Sequence, residues 1–253
     1  MGTWISHLRV AEQVFARIPG LDEVAFTYGN LAPDSGIPNQ DWSAFTPPKE
    51  VTHFLSHGEG EGRIRDLEFY RYYLAPLQSG DDPANYSFML GYFCHLLSDN
   101  LWSRRIGGPT KRAYAELFAD RAAAWEKIKT DWYGLDQCYV RDHPNSSFWR
   151  ILMRTPNPPT HVSFIPIEGL HRQLDYIRGF YSQPDAAWVL DRAYPYLNEA
   201  TMSRYVADTA ASLVEICQRL DELSNMSTAT TALTLLAPEQ LAPYPPPLGD
   251  LEA

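Results

Sequence analysis

Residues 85–106 read NYSFMLGYFCHLLSDNLWSRRI. Phe88, Met89, Tyr92, Phe93, Leu96, Leu97, Leu101 and Trp102 cover most of a helix's circumference with apolar groups instead of marking a single stripe. A helix that is apolar nearly all round belongs at the centre of a bundle, with neighbours on every side. Outward from it, Ile5, Leu8, Ala11, Val14, Phe15 and Ile18 mark an amphipathic helix that Pro19-Gly20 stops. Leu67, Tyr70 and Leu74 mark another over 62–76. The same spacing predicts helices near 110–132, 146–154, 163–182, 185–194 and 196–224, with Gly107-Gly108-Pro109 ending the central one. Residues 21–50, broken by Gly29, Pro33, Gly36, Pro38, Pro47 and Pro48, read as a long irregular segment. Strand-like alternation is hard to find. The expected fold is all-α, a multi-helix bundle over residues 1–224, followed by a Pro-rich tail over 225–253 that is extended or disordered.

The chain has 253 residues and a net charge of −10, with no long Lys/Arg run, which argues against a protein that coats nucleic acid non-specifically. Three scattered cysteines (Cys94, Cys138, Cys217) make neither a disulfide framework nor a thiolate zinc module. No stretch approaches the roughly 18 consecutive apolar residues of a membrane span. Residues 1–9 lack the basic and apolar regions of a secretory signal, so the expected location is cytoplasmic.

Chemistry-bearing residues gather near the front. His7, His53, His57 and His95 lie within the first 100 residues, with Asp34 and Asp99 among them. Imidazole and carboxylate are the ligands expected for zinc and similar divalent ions where thiolates are lacking. His95-Leu-Leu-Ser-Asp99 puts a ring and a carboxylate on one face of the apolar helix, where unpaired ionisable groups are costly. On that spacing alone two readings stand: a satisfied buried pair, or a metal site. His171 and Asp175 share the spacing, but Arg172 and Gln173 between them suggest a surface hydrogen-bonded pair. The segment 57–62 reads as a solvated Gly-rich turn, with a loop over the cleft as the sharper alternative. Glu50/His53 and Glu168/His171 fit the Glu-x-x-His pattern of di-iron bundles, but Pro47-Pro48 disfavours a long ligand-bearing helix there. Asp131, Asp136 and Asp142 read as helix-end residues.

The assembled order is His7, Asp34 in a Gly/Pro-framed turn, His53, then His95-x-x-x-Asp99. With Trp4-Ile5-Ser6-His7, Gly29-Asn30-Leu31-Ala32-Pro33-Asp34, Thr52-His53-Phe54 and residues 91–99, the chain resembles the zinc-dependent phospholipases C. That family is related to fungal single-strand-specific zinc nucleases. Within it, the resemblance is greatest to intracellular bacterial members, and its motifs cover roughly residues 4–105. The resemblance implies a helical bundle with zinc in a cleft. Asp34, His53, His95 and Asp99 would surround one ion, and Asp99 would bridge to a second held by His7. Asp34 would hold or deprotonate the attacking water. The implied activity is hydrolysis of a phosphodiester, either a phospholipid or a small phosphoester, with one or two Zn2+ ions.

The chain departs from that pattern in two places. Secreted members ligate a metal through a processed N-terminal Trp, whereas Trp4 follows Met1-Gly2-Thr3. The His-x-x-x-Glu of a third metal has no counterpart after Asp99. A degenerate bundle that keeps a structural metal and acts as a binding protein is therefore the alternative function.

Overall fold

The computed structural model describes residues 1–40, 44–56, 64–77, 80–183 and 188–246. Its α-helices are α1 (Trp4–Phe15), α2 (Glu23–Leu31), α3 (Lys49–Thr52), α4 (Asp66–Phe69), α5 (Pro83–Trp102), α6 (Gly108–Ala113), α7 (Arg121–Asp142), α8 (Ile167–Ser182), α9 (Glu199–Gln218) and α10 (Leu220–Leu223). One antiparallel pair, β1 (Ile37–Pro38) and β2 (Phe45–Thr46), sets Ile37 opposite Thr46. The protein is mostly helical, an all-α bundle.

Helix α5 is its axis. Every residue from Ser87 to Trp102 is buried, including the polar His95, Ser98, Asp99 and Asn100. α2 lies directly against it because two glycines remove the side chains that would hold the backbones apart. A Cβ on Gly91 would collide with the Phe26 carbonyl, and one on Gly29 with the Phe88 carbonyl. α1 packs on α2, α5 and α9, and its buried Arg9 pairs with Glu199 of α9 at 2.7 Å. Thr3 caps α1 through a reciprocal pair of bonds with Ser6. The same Thr3 hydroxyl donates to Asp136 of α7 at 2.8 Å, and Tyr181 of α8 donates to the other oxygen at 2.6 Å. The start of α1 is thus tied to α7 and α8.

Several expectations need correcting. Residues 23–31 form α2, not irregular chain: Asp22 caps it by accepting from Ala25, and Gly29 serves close packing instead of breaking the helix. Gly107-Gly108-Pro109 does not end the path of α5. The backbone passes through a π-helical turn at Ser103–Gly107 into α6, where Pro109 sits in the first turn and needs no N–H partner. The helix expected over 110–132 is split, and α7 starts only at Arg121, capped by Asp120. Asp131 and Asp136 consequently lie inside α7, where both are buried. Residues 188–198 form no helix, and 184–187 lie outside the described residues.

The tail also differs from its expectation. Residues 225–246 include short 3-10 turns at Ala232–Leu235 and Pro238–Leu241 and pack onto the bundle. Buried Asp66 accepts from the Ala232 N–H at 2.8 Å, Tyr244 N–H donates to the Arg105 carbonyl at 3.1 Å, and Ala232, Leu233 and Tyr244 are buried. Apolar residues between the prolines supply the anchorage that a Pro count overlooks. Residues 247–253 lie outside the described residues.

Candidate metal centre

Four separate pieces of chain deliver five side chains to one point. His7 comes from the second turn of α1. Asp34 ends a 3-10 turn, Ala32–Asp34, that Pro33 pulls away from the end of α2. His53 follows α3, a single turn entered through Pro48 in extended conformation. Phe54, next to it, has φ of 51°, a strained value for a bulky residue, and its ring is wedged edge-on against Phe69, Tyr73 and Phe164. That reversal keeps His53 turned inward. His95 and Asp99, one turn apart on α5, complete the set.

Their polar atoms converge. His53 Nε2 lies 3.5 Å from Asp34 Oδ1, 3.6 Å from Asp99 Oδ2 and 3.3 Å from His95 Nε2. His95 Nε2 is 3.5 Å from Asp99 Oδ2, and His7 Nε2 is 3.3 Å from Asp99 Oδ1. Zinc bonds of about 2.0–2.2 Å in tetrahedral geometry put neighbouring ligand atoms about 3.4 Å apart. The observed separations match that edge. Two overlapping groups, Asp34–His53–His95 and His7–His95–Asp99, each hold their ligand atoms within 4.8 Å of one another, so these buried clusters could hold metal ions.

The surroundings orient the rings. His95 Nδ1–H donates to the Asn30 carbonyl at 2.7 Å, which leaves Nε2 as the atom facing the centre. His53 Nδ1 bonds the Thr52 hydroxyl at 2.9 Å, and its Nε2 also faces inward. His7 stacks on His95 with ring centroids 3.9 Å apart. The Gly2 N–H donates to Asp99 Oδ1 at 2.7 Å. Neither nitrogen of His7 makes a hydrogen bond, nor does Asp99 Oδ2, although all three are buried. Unpartnered polar atoms at such depth are unfavourable, and a cation between His7 Nε2 and the Asp99 carboxylate would satisfy the two that face the cluster.

Electrostatics point the same way. Burial and the neighbouring His95 hold His7 below its usual pKa, and burial does the same to His53. Burial thus favours the neutral form of both rings, the form in which imidazole ligates a metal. Burial alone would lower His95, but the Asp99 carboxylate 3.5 Å away outweighs this and raises it. Asp99 is held well below the carboxylate range: burial is overcome by the terminal ammonium and by the His7 and His95 rings. Asp34 is likewise depressed, with burial overcome by the His53 bond and the Lys49 charge. Protons and a metal compete for the same lone pairs of His95 and Asp99.

Among the described residues, Asp34 is the ligand that reaches solvent. His7, His53, His95 and Asp99 are 1% exposed or less, whereas the Asp34 side chain is 12% exposed. Lys49 Nζ stands 4.0 Å from Asp34 Oδ1. Tyr133 of α7 is within the field of Asp34 and meets Trp4 at a ring distance of 6.4 Å. Trp4 also contacts Tyr176 of α8 at 5.7 Å, which gives the border an aromatic wall.

The remaining candidates fall elsewhere. His171 bonds the Pro158 carbonyl and Asp175 pairs with Arg178, so the expected mutual pair gives way to two separate ones. Glu50 is exposed and stands in neither group. The segment 57–62 lies outside the described residues. Asn30, Thr52 and Gly2 act on the ligands through backbone or hydroxyl groups, which spacing of ligand types does not register. Lys49 and Tyr133 are visible only once α3 and α7 are placed.

No family model, curated protein or solved structure matches this chain. The residues of the site carry the functional argument.

Proposed function

We propose that the protein is a metal-dependent phosphoesterase that hydrolyses a phosphodiester, in the manner implied by its resemblance to zinc-dependent phospholipases C. The observation that supports this best is the pair of His/Asp groups sharing His95 and held at zinc-like spacing, with the Asp34 carboxylate partly exposed to solvent. Asp34, His53, His95 and Asp99 would hold the first ion; His7 and Asp99 would hold a second. A divalent ion there would lower the pKa of water and neutralise charge on phosphoryl oxygens.

The chain's own part is positioning. Asp34 is the site carboxylate that an incoming substrate meets. Its proton affinity is depressed, so it orients a water by accepting a hydrogen bond and is a weak acceptor of the proton itself. Asn30 and Thr52 keep the His95 and His53 imidazoles turned inward.

The test is hydrolysis of bis(p-nitrophenyl) phosphate by zinc-loaded protein, with metal content measured on the same sample. Wild type should turn over, and Asp34→Asn should lose about 100-fold or more in kcat, the scale of one positioned group in a reacting site. Zinc-loaded wild type that shows no turnover of activated diesters would leave the binding-protein alternative.

A further inference from the structure

The C-terminal end of α7 gathers polar groups that the metal centre does not use. A cavity of about 320 Å³ lies there, within the size range of small-molecule sites. Glu12 of α1, Tyr139 and Asp142 of α7, and His143 and Ser146 of the turn that follows line it. Ser146 is 5% exposed, and its hydroxyl makes no hydrogen bond among the described residues. A buried hydroxyl without a partner is unfavourable until something in the cavity bonds it. The groups around it are acceptors. Glu12 and Asp142 offer carboxylates. His143 donates its Nδ1–H to the Tyr139 carbonyl at 2.9 Å, which puts the lone pair of the neutral ring at Nε2. Among the described residues, no Lys or Arg lines the cavity.

The ion pairs around the cavity fall short of cations. Arg150 lies 3.3 Å from Glu12 but 2.8 Å from Glu23, and Arg141 holds Asp142 at 2.7 Å while also meeting Asp191 at 3.3 Å. Two guanidinium groups thus serve four carboxylates, and a cation entering the cavity is favoured. The lining also selects its kind. Glu12, Asp142 and His143 do not bring ligand atoms within 4.8 Å of one another, so they are not gathered round one metal ion. Nor do they make an aromatic cage for a quaternary ammonium. Arg9 lies 4.3 Å over the Tyr139 ring and His143 stacks on that ring at 4.1 Å, so both of its faces are taken. Acceptors spread in this way suit N–H donors on a carbon skeleton, which reach about 2.8–3.0 Å each and need not share a centre. We propose that this cavity binds a short aliphatic diamine in its diprotonated form. One ammonium donates to Glu12 and the other to Asp142, and Ser146 Oγ accepts from a remaining N–H. The site is separate from the metal centre and does not rest on the phosphoesterase reading.

Titration of 1,4-diaminobutane into the full chain at fixed ionic strength, followed by NMR of the backbone amides, tests it. Amides of residues 142–146 other than Pro144 should shift and saturate. Glu12→Gln should weaken binding about tenfold, the effect of one charge-assisted hydrogen bond, and Asp142→Asn should do likewise. Arg150 keeps Glu23 and Arg141 keeps Asp191 in these variants, so neither guanidinium loses its last partner. Ser146→Ala should cost about threefold, the scale of a neutral hydrogen bond. Glu116→Gln, which removes an exposed carboxylate outside the lining, should leave the affinity within about twofold of wild type. Butylamine, with one charge, should bind about tenfold more weakly than the diamine. The site would be overturned by the lack of a saturable shift with the diamine, or by equal affinities in wild type and both carboxylate variants. Tetramethylammonium that binds as tightly as the diamine would overturn it too, since that ion has no N–H to donate.

Discussion

His7 is the residue whose role is most separable. It reaches Asp99 and stacks on His95, yet it belongs to only one of the two ligand groups. The Asp34–His53–His95 group is complete without it. His7→Ala is therefore expected to lower zinc stoichiometry by at most one equivalent, measured by elemental analysis of protein purified without chelator, and to leave one ion bound. Loss of all metal from a folded His7→Ala protein would show that the five side chains form a single inseparable site. His95→Ala, by contrast, removes a member of both groups and should abolish zinc binding. These residues were legible because chemistry and order are properties of sequence: ligand types, the four-residue step from His95 to Asp99, and Asp34 in a Gly/Pro turn. What set their geometry was not legible. The Asn30 carbonyl is like any other carbonyl in the sequence until α2 is laid on α5.

At the scale of elements, the crossing of α2 and α5 decides whether that carbonyl is in place. Gly29 and Gly91 interlock there, and each would drive a methyl group into the opposite backbone. Backbone cannot yield as a flexible side chain can. Gly91→Ala should therefore cost about 2–3 kcal/mol of stability, the upper range for overpacking, read as a lower urea midpoint with unchanged slope. It should also weaken zinc binding, because Asn30 moves with α2. A midpoint equal to wild type would mean that the two helices slide apart freely. The same glycines explain why α2 escaped the sequence reading. Gly and Pro are read as punctuation by local rules, whereas Gly29 answers to Phe88, a partner far along the chain. The central helix was readable because burial on all sides leaves a pattern in its own residues. α7 was misplaced because its buried Asp131 and Asp136 look like surface residues; their partners, Arg192, Tyr196, Thr3 and Tyr181, are all distant in sequence.

Across the whole molecule, buried carboxyls outside the metal centre set a pH dependence of their own. Burial lifts Asp136 to about 7 and Asp66 to about 6, against hydrogen bonds that pull each down. A carboxyl with a raised folded pKa binds its proton more tightly in the native state. Its contribution is full below the unfolded value of about 4 and is lost as pH rises toward the folded one, at about 1.4 kcal/mol per unit for each group. Asp136→Asn keeps a neutral polar group against Thr3 and Tyr181. Its melting temperature relative to wild type should thus be higher at pH 8 than at pH 5, measured on metal-free protein. A difference that stays constant across that range would mean Asp136 keeps an ordinary pKa. Asp66 extends the same logic to the tail, since the carboxyl that accepts from Ala232 also accepts from Asn100 of α5 at 2.8 Å.

The partial exposure of Asp34, against the burial of the other four ligands, has a kinetic meaning. With the other four side chains buried, among the described residues an ion would leave by displacing Asp34 or by waiting for α1, α3 or α5 to part. Exchange would then follow local opening of the fold, not the strength of the chelator outside. The metal found in a preparation would record what was present when the chain folded. Zinc, manganese or iron supplied during refolding should each persist through dialysis that readily removes ions from the surface.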